Sequence, residues 1–251
     1  MPSASIECIQ PNWHAPDSVK AVCTTRIGGN SLSPYDSFNL ATHVGDAIDK
    51  VILNRELLKR ELNLPAEPCW LNQTHSTDVA MLDGSPDYAI DSDAAISQKP
   101  GIIAVVMTAD CLPILMCNQQ GDEVAAVHAG WRGLADGIVA TTLKKMRTPP
   151  EQLMAWIGPA ISQPRFEVGD DVRNMFMNRY ENAALRFRQN RPGHWLCDLP
   201  GLAADQLFDL GVTAIHQSGL CSFDEDSRFY SYRRENISGR MASLIWIKSG
   251  T

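Results

Sequence analysis

Apolar positions in this chain follow two rhythms, and their alternation sets out the secondary structure. Residues 19–25 read as a β-strand, after which Arg26, Ile27, Gly28, Gly29 and Asn30 supply a turn and Ser33, Pro34 and Tyr35 a loop. Asp46 is placed to cap a helix whose Ile48, Val51, Ile52, Leu58 and Leu62 share one face and which ends before Pro65. Residues 101–107 and 112–117 are almost continuously apolar, the signature of strands covered on both faces. Residues 118–122 predict a hairpin into a third apolar strand over 123–128. Beyond it, Leu134, Ile138, Leu143 and Met146 predict the buried stripe of one helix, stopped by Pro149 and Pro150. Further expectations are a strand at 154–157, helices at 171–180 and 199–210 with Gly211 closing the second, and strands at 212–216 and 241–247. No repeat or linker divides this series, so residues 1–251 are expected to form a single α+β domain with a layered mixed β-sheet flanked by helices. The hairpin connections argue against a purely parallel, doubly wound sheet.

Composition narrows the partners. The formal net charge of −7 provides no general basic surface for a nucleic-acid backbone or an anionic membrane, so neither is expected as a partner. No apolar run approaches the roughly 20 residues of a membrane-spanning helix, and the first residues lack a basic start followed by an apolar core. Seven cysteines without a paired framework fit a reducing compartment, and the chain is read as cytoplasmic.

Of six histidines, His75 and His128 have neighbours that point to chemistry, and Cys111 lies between them in sequence at separations of 36 and 17 residues. That spacing matches no local metal motif. Position strengthens the case, because Cys111 and His128 both fall at strand boundaries, where a fixed backbone can aim a side chain into a cleft. Two imidazoles and a thiolate are the donors of a catalytic zinc site with a free fourth position. The same residues also suit a metal-free arrangement, with Cys111 as nucleophile, either histidine as base, and Asp110 or Asp78 orienting it. A purely structural set, a core histidine, an inert buried thiol and a surface loop histidine, is equally compatible with the spacing. Arg132, beside two glycines where a strand turns into a helix, and Arg26, beside Gly28 and Gly29, are phosphate candidates. Arg233, Arg234 and Arg240 surround Tyr230 and Tyr232, which suits phosphate or the face of a nucleobase. His43 sits in a polar loop and is a candidate for the cleft; His14, His194 and His216 have no comparable setting.

These segments resemble a known family. Thr24-Thr25-Arg26-Ile27-Gly28-Gly29, Ser37-Phe38-Asn39-Leu40, Gln73-Thr74-His75, Thr108-Ala109-Asp110-Cys111-Leu112-Pro113 and His128-Ala129-Gly130-Trp131-Arg132-Gly133 resemble the YfiH/YlmD-type purine nucleoside phosphorylases, formerly labelled laccase-domain or polyphenol oxidase proteins. Matches at Tyr230-Ser231-Tyr232-Arg233-Arg234 and Gly239-Arg240-Met241-Ala242-Ser243 extend the resemblance across nearly the whole chain. It implies a YfiH-like, cysteine-hydrolase-like fold and zinc held by His75, Cys111 and His128. It further implies phosphorolysis of adenosine, inosine and methylthioadenosine, with adenosine deamination as a second activity. Catalytic roles then fall to Cys111, His128 and Asp110, and substrate or phosphate contacts to Arg26, Asn39, His43 and Arg132. Where many members carry Gln-x-His-Gly, this chain has Ser76 after His75. Two rival activities accompany the resemblance: a cysteine-dependent amidase editing a cell-wall precursor, and a copper-dependent polyphenol oxidase, for which six scattered histidines are a poor endowment. A non-enzymatic zinc-binding or partner-docking protein is a third possibility. A monomer is the expected state.

Overall fold

In the computed structural model, which describes residues 5–84 and 90–249, the long apolar runs become the middle of a layered structure. Among the described residues the strands are, in chain order, β1 (Cys8–Ile9), β2 (Val19–Thr24), β3 (Val79–Leu82), β4 (Ala94–Ser97), β5 (Ile103–Thr108) and β6 (Leu112–Asn118). They continue as β7 (Val124–Ala129), β8 (Leu153–Ile157), β9 (Glu167–Gly169), β10 (Phe187–Arg191), β11 (His194–Cys197), β12 (Ala214–Gln217) and β13 (Met241–Ile247). The α-helices are α1 (Ile48–Glu61), α2 (Trp131–Asp136), α3 (Ile138–Lys145), α4 (Asp170–Met177), α5 (Leu199–Asp209) and the single turn α6 (Tyr232–Glu235).

A six-stranded sheet runs β12-β8-β6-β7-β4-β3, a four-stranded sheet β1-β2-β13-β5, and a small third sheet β10-β11-β9. The large sheet is mixed: β6 pairs antiparallel with β7 and β8, whereas β3 with β4 and β12 with β8 are parallel. The two-residue period explains the uninterrupted apolar runs. Leu112, Ile114 and Met116 face a core shared with α2, α3 and α5, while Leu115 and Cys117 face the core between the two large sheets. On β5, Ala104 and Val106 enter that same inter-sheet core, and Ile103 and Val105 pack under α1 with Leu57 and Leu58. The layers are therefore helix, sheet, sheet, helix, a single-domain α+β architecture with mixed strands.

Several local expectations change. The helix over 131–145 is two helices, because Gly137 takes φ +98° and its N–H bonds back to Gly133 and Leu134 carbonyls; Leu134, Ile138, Leu143 and Met146 are nevertheless all buried. Asp46 does not cap α1, since its carboxylate accepts from Ser31 Oγ and Asn39 Nδ2 instead, and Ala47 occupies the cap position. Ile48 and Ile52 are exposed; the buried face carries Val51, Asn54, Leu57 and Leu58. Asn54 is fully buried because its amide serves the preceding loop, donating to Ser31 Oγ and to the Ser37 and Asn39 carbonyls and accepting from Asn30 N–H.

Candidate active site

The functional constellation forms where the start of β4, the start of β6 and the end of β7 meet. One ligand atom from each of His75, Cys111 and His128 lies within 4.8 Å of the others. Cys111 Sγ is 3.8 Å from His75 Nε2, and the two imidazole rings stand edge to face with centroids 4.8 Å apart. Asp93, immediately before β4, organises two of the three. Its Oδ1 accepts from His128 Nδ1 at 2.7 Å, which leaves His128 Nε2 for the cavity. The consecutive N–H groups of Thr74, His75 and Ser76 also point at this carboxylate, at 3.2, 3.0 and 2.6 Å, and Ser76 Oγ donates at 2.9 Å. Wrapping three successive N–H groups around one anion places His75 in the left-handed region at φ +61°, an unfavourable backbone for a non-glycine residue that the carboxylate repays. Gln73 fixes the same loop by exchanging two 2.8 Å bonds with the Met107 backbone, as a neighbouring strand would.

Electrostatics follow from this geometry. Burial alone would raise the Asp93 carboxyl, but the His128 ring and the Ser76 donors outweigh it and hold the group at about 2. Burial likewise works against a Cys111 thiolate, yet the charge and hydrogen bonds of His128 and His75 bring it down to about 6, while Cys111 and Asp93 push His128 up. The cluster thus favours a thiolate beside the imidazoles, the protonation state a soft metal takes from cysteine. Gly130 keeps the cradle open: a Cβ there would stand 2.8 Å from His75 Cδ2 and 3.2 Å from Cys111 Sγ. The donor set and this enforced closeness fit a divalent cation.

The cluster forms one side of a cavity of about 370 Å³. Met107, Thr108 and Ala109 line it from the end of β5, and His43, Gln73, Tyr232 and Arg240 complete its walls.

Comparison with known proteins identifies the constellation's context. Residues 20–248 match the family described as multi-copper polyphenol oxidoreductase laccase. The chain belongs to this family. The chain is 47% identical to "Purine nucleoside phosphorylase YfiH" of Shigella flexneri, over 95% of this chain and 98% of that one. It is 46% identical to "Purine nucleoside phosphorylase" of Haemophilus influenzae, over 97% and 100% respectively. A Neisseria meningitidis crystal structure superposes with a TM-score of 0.93 at 42% identity, covering 98% of this chain and all of that one. YlmD from Geobacillus stearothermophilus does so with 0.87 at 29% identity, covering 93% of each.

Within this laccase-family fold, the other residues singled out by sequence go to different places. His43 lines the cavity with the cluster. Asn39 is fully buried behind it and accepts from Arg240 N–H, so it shapes the wall rather than facing the space. Asp110, at φ +87°, accepts from Ser222 Oγ and from Arg233 N–H, tying the turn before Cys111 to α6. Arg132 is exposed and lies over the Trp131 ring. Arg26 lies along a separate cavity of about 390 Å³, with its guanidinium on Glu235 at 2.9 Å and on the Asp36 carbonyl at 2.8 Å. Sequence reasoning missed Asp93. Its one outward sign is a carboxylate just before a short apolar segment, and nothing local links it to residues 74–76 or to His128.

Proposed function

We propose that the protein is a metal-dependent purine nucleoside phosphorylase that cleaves adenosine, inosine and methylthioadenosine, with adenosine deamination as a second activity. The observation that carries this reading is the convergence of two imidazoles and a thiolate, within 4.8 Å, on a cavity of the volume a small-molecule site requires. The names of the relatives support the reaction class. His75, Cys111 and His128 would hold the metal, and zinc suits this borderline-soft donor set better than copper. When bound, zinc supplies Lewis-acid polarisation of a substrate oxygen.

The chain's own residues supply orientation. Asp93 fixes the His128 ring and the His75 loop, Gly130 admits both donors, and Met107 and Ala109 give the cavity an apolar lining. Tyr232 adds an aromatic side chain to the lining, with the Arg240 guanidinium over its ring. Asp110 acts as a positioning residue through Ser222 and Arg233. In phosphorolysis a phosphate oxygen forms the bond to C1′ as the C1′–N9 bond breaks; the electron pair leaves with the base, which receives the proton of hydrogen phosphate. The seven free thiols support a cytoplasmic setting.

The test is product analysis of the purified protein with inosine and with adenosine, with and without phosphate. Free base with ribose 1-phosphate, formed only when phosphate is present, supports phosphorolysis; inosine formed from adenosine supports deamination. Free base released equally without phosphate overturns the phosphorylase assignment. The low thiol pKa of Cys111 favours one second reading, a cysteine-dependent amidase. A trapped acyl thioester on Cys111 supports that reading, whereas protection of Cys111 from alkylation by zinc supports ligation.

A further inference from the structure

The cavity beside the cluster holds an arginine that no carboxylate pairs among the described residues. Among the described residues no carboxylate lines it, yet it contains the Arg240 side chain. Arg240 Nη1 donates to the Ser238 and Gly239 carbonyls, which anchors the guanidinium at one end. Its Nε and Nη2 hydrogens have no acceptor among the described residues, and no carboxylate comes within ion-pair distance. Burial disfavours this charge, which Cys111 and Asp110 attract only from a distance. Thr108 is 98% buried in the same lining, and its Oγ1 has no hydrogen-bond partner. A buried hydroxyl without a partner costs free energy unless a ligand supplies one. His43 completes this side; burial and the neighbouring Arg240 and Arg55 charges lower its pKa, so its ring is neutral near pH 7 and offers an N–H without adding charge.

We infer that Arg240 and Thr108 form the oxyanion subsite of the cavity, where inorganic phosphate is held opposite the nucleoside. The inference rests on the phosphorylase reading for its choice of anion. Two free guanidinium N–H groups form the fork that matches a tetrahedral oxyanion, and a hydroxyl adds a third donor. Asn39 belongs to the same device, because it receives Arg240 N–H and fixes the backbone that carries the guanidinium.

Equilibrium dialysis with radiolabelled inorganic phosphate, paired with KM for phosphate and for inosine, tests the assignment in the wild type, Arg240→Gln and Thr108→Val. Arg240→Gln should weaken phosphate binding and raise its KM by about 10- to 100-fold, the loss of a charge-assisted bond, with KM for inosine within about twofold. Thr108→Val, close in shape and removing an unpartnered hydroxyl, should weaken phosphate by about fivefold with an unchanged thermal midpoint. That second variant carries the test if Arg240→Gln does not fold. Phosphate binding unchanged in the folded variants overturns the assignment. So does Arg240-dependent binding of inosine 5′-monophosphate without Arg240-dependent binding of inorganic phosphate, which would make the anion part of the nucleotide. Wild-type protein that binds phosphate through Arg240 but leaves inosine intact sinks the phosphorylase reading and leaves the subsite standing.

Discussion

Two cavities of nearly equal size, about 370 and 390 Å³, each contain arginine, and they differ in what the arginine meets. In the larger, Arg26 is clamped by Glu235 and Asp36, lies over the Tyr230 ring, and shares Glu235 with Arg234. In the smaller, Arg240 donates to backbone carbonyls and Ser238 Oγ and lies over the Tyr232 ring, with no carboxylate partner among the described residues, beside a thiolate–imidazole cluster. The first arrangement is a closed circuit that stabilises loops far apart in sequence. The second keeps charge available for a ligand. Neither cavity volume nor the presence of arginine distinguishes a binding site; the pairing of the charge does.

The largest effect is expected at the cluster. Cys111→Ala and His128→Ala should lose bound zinc and reduce phosphorolysis by more than the roughly 100-fold upper end for residues that only support a ligand. Metal analysis alongside initial rates checks this, and full zinc loading with unchanged rates in both variants removes the metal site. Asp93→Asn comes next, with a decrease of about 10- to 100-fold in zinc affinity read by competition with a chelator, because both the His128 ring and the His75 loop lose their anion. Arg26→Gln sharpens the contrast between cavities. It should cost about 2 kcal/mol in denaturant unfolding, through the bonds lost to Glu235 and Asp36, while the phosphate KM stays at the wild-type value. A raised phosphate KM would transfer the anion role to the other cavity.

The smallest effect lies outside both cavities. Glu123 is buried, which raises its pKa, but N–H groups of Arg147 and Thr148 and the Gln98 amide outweigh burial and lower it. A carboxylate depressed in the folded state contributes stability above its unfolded pKa and loses it as pH falls through the folded value. Glu123→Gln should therefore lower stability by about 1 kcal/mol at neutral pH and flatten the acid limb of a stability–pH curve, with no change in zinc content.

How much of this was legible in the sequence depended on how local each cause is. The strands β5, β6 and β13 were readable because burial on both faces leaves a continuous apolar run. Of the short strands, β8 and β12 were readable beside the helices that precede them, whereas β3, β4, β9, β10 and β11, at three to five residues, carry too little periodicity to stand out from the loops around them. Cys111 and His128 stood out by chemical type at strand boundaries, and His75 by the polar loop around it. Asp93 did not, because its importance exists only once three separate segments meet around it. Arg26 and Arg240 carry the same side chain, and what separates them, a glutamate 209 residues from Arg26, is invisible before folding.

The Asp93 carboxylate also makes two donors answer to one residue. A disturbance there releases the ring on β7 and the loop around His75 together, so the site should be present whole or missing whole rather than decay one donor at a time. In evolutionary terms that makes position 93 a single point of failure: drift among the surrounding apolar residues erodes the enzyme gradually, whereas loss of this one anion switches it off.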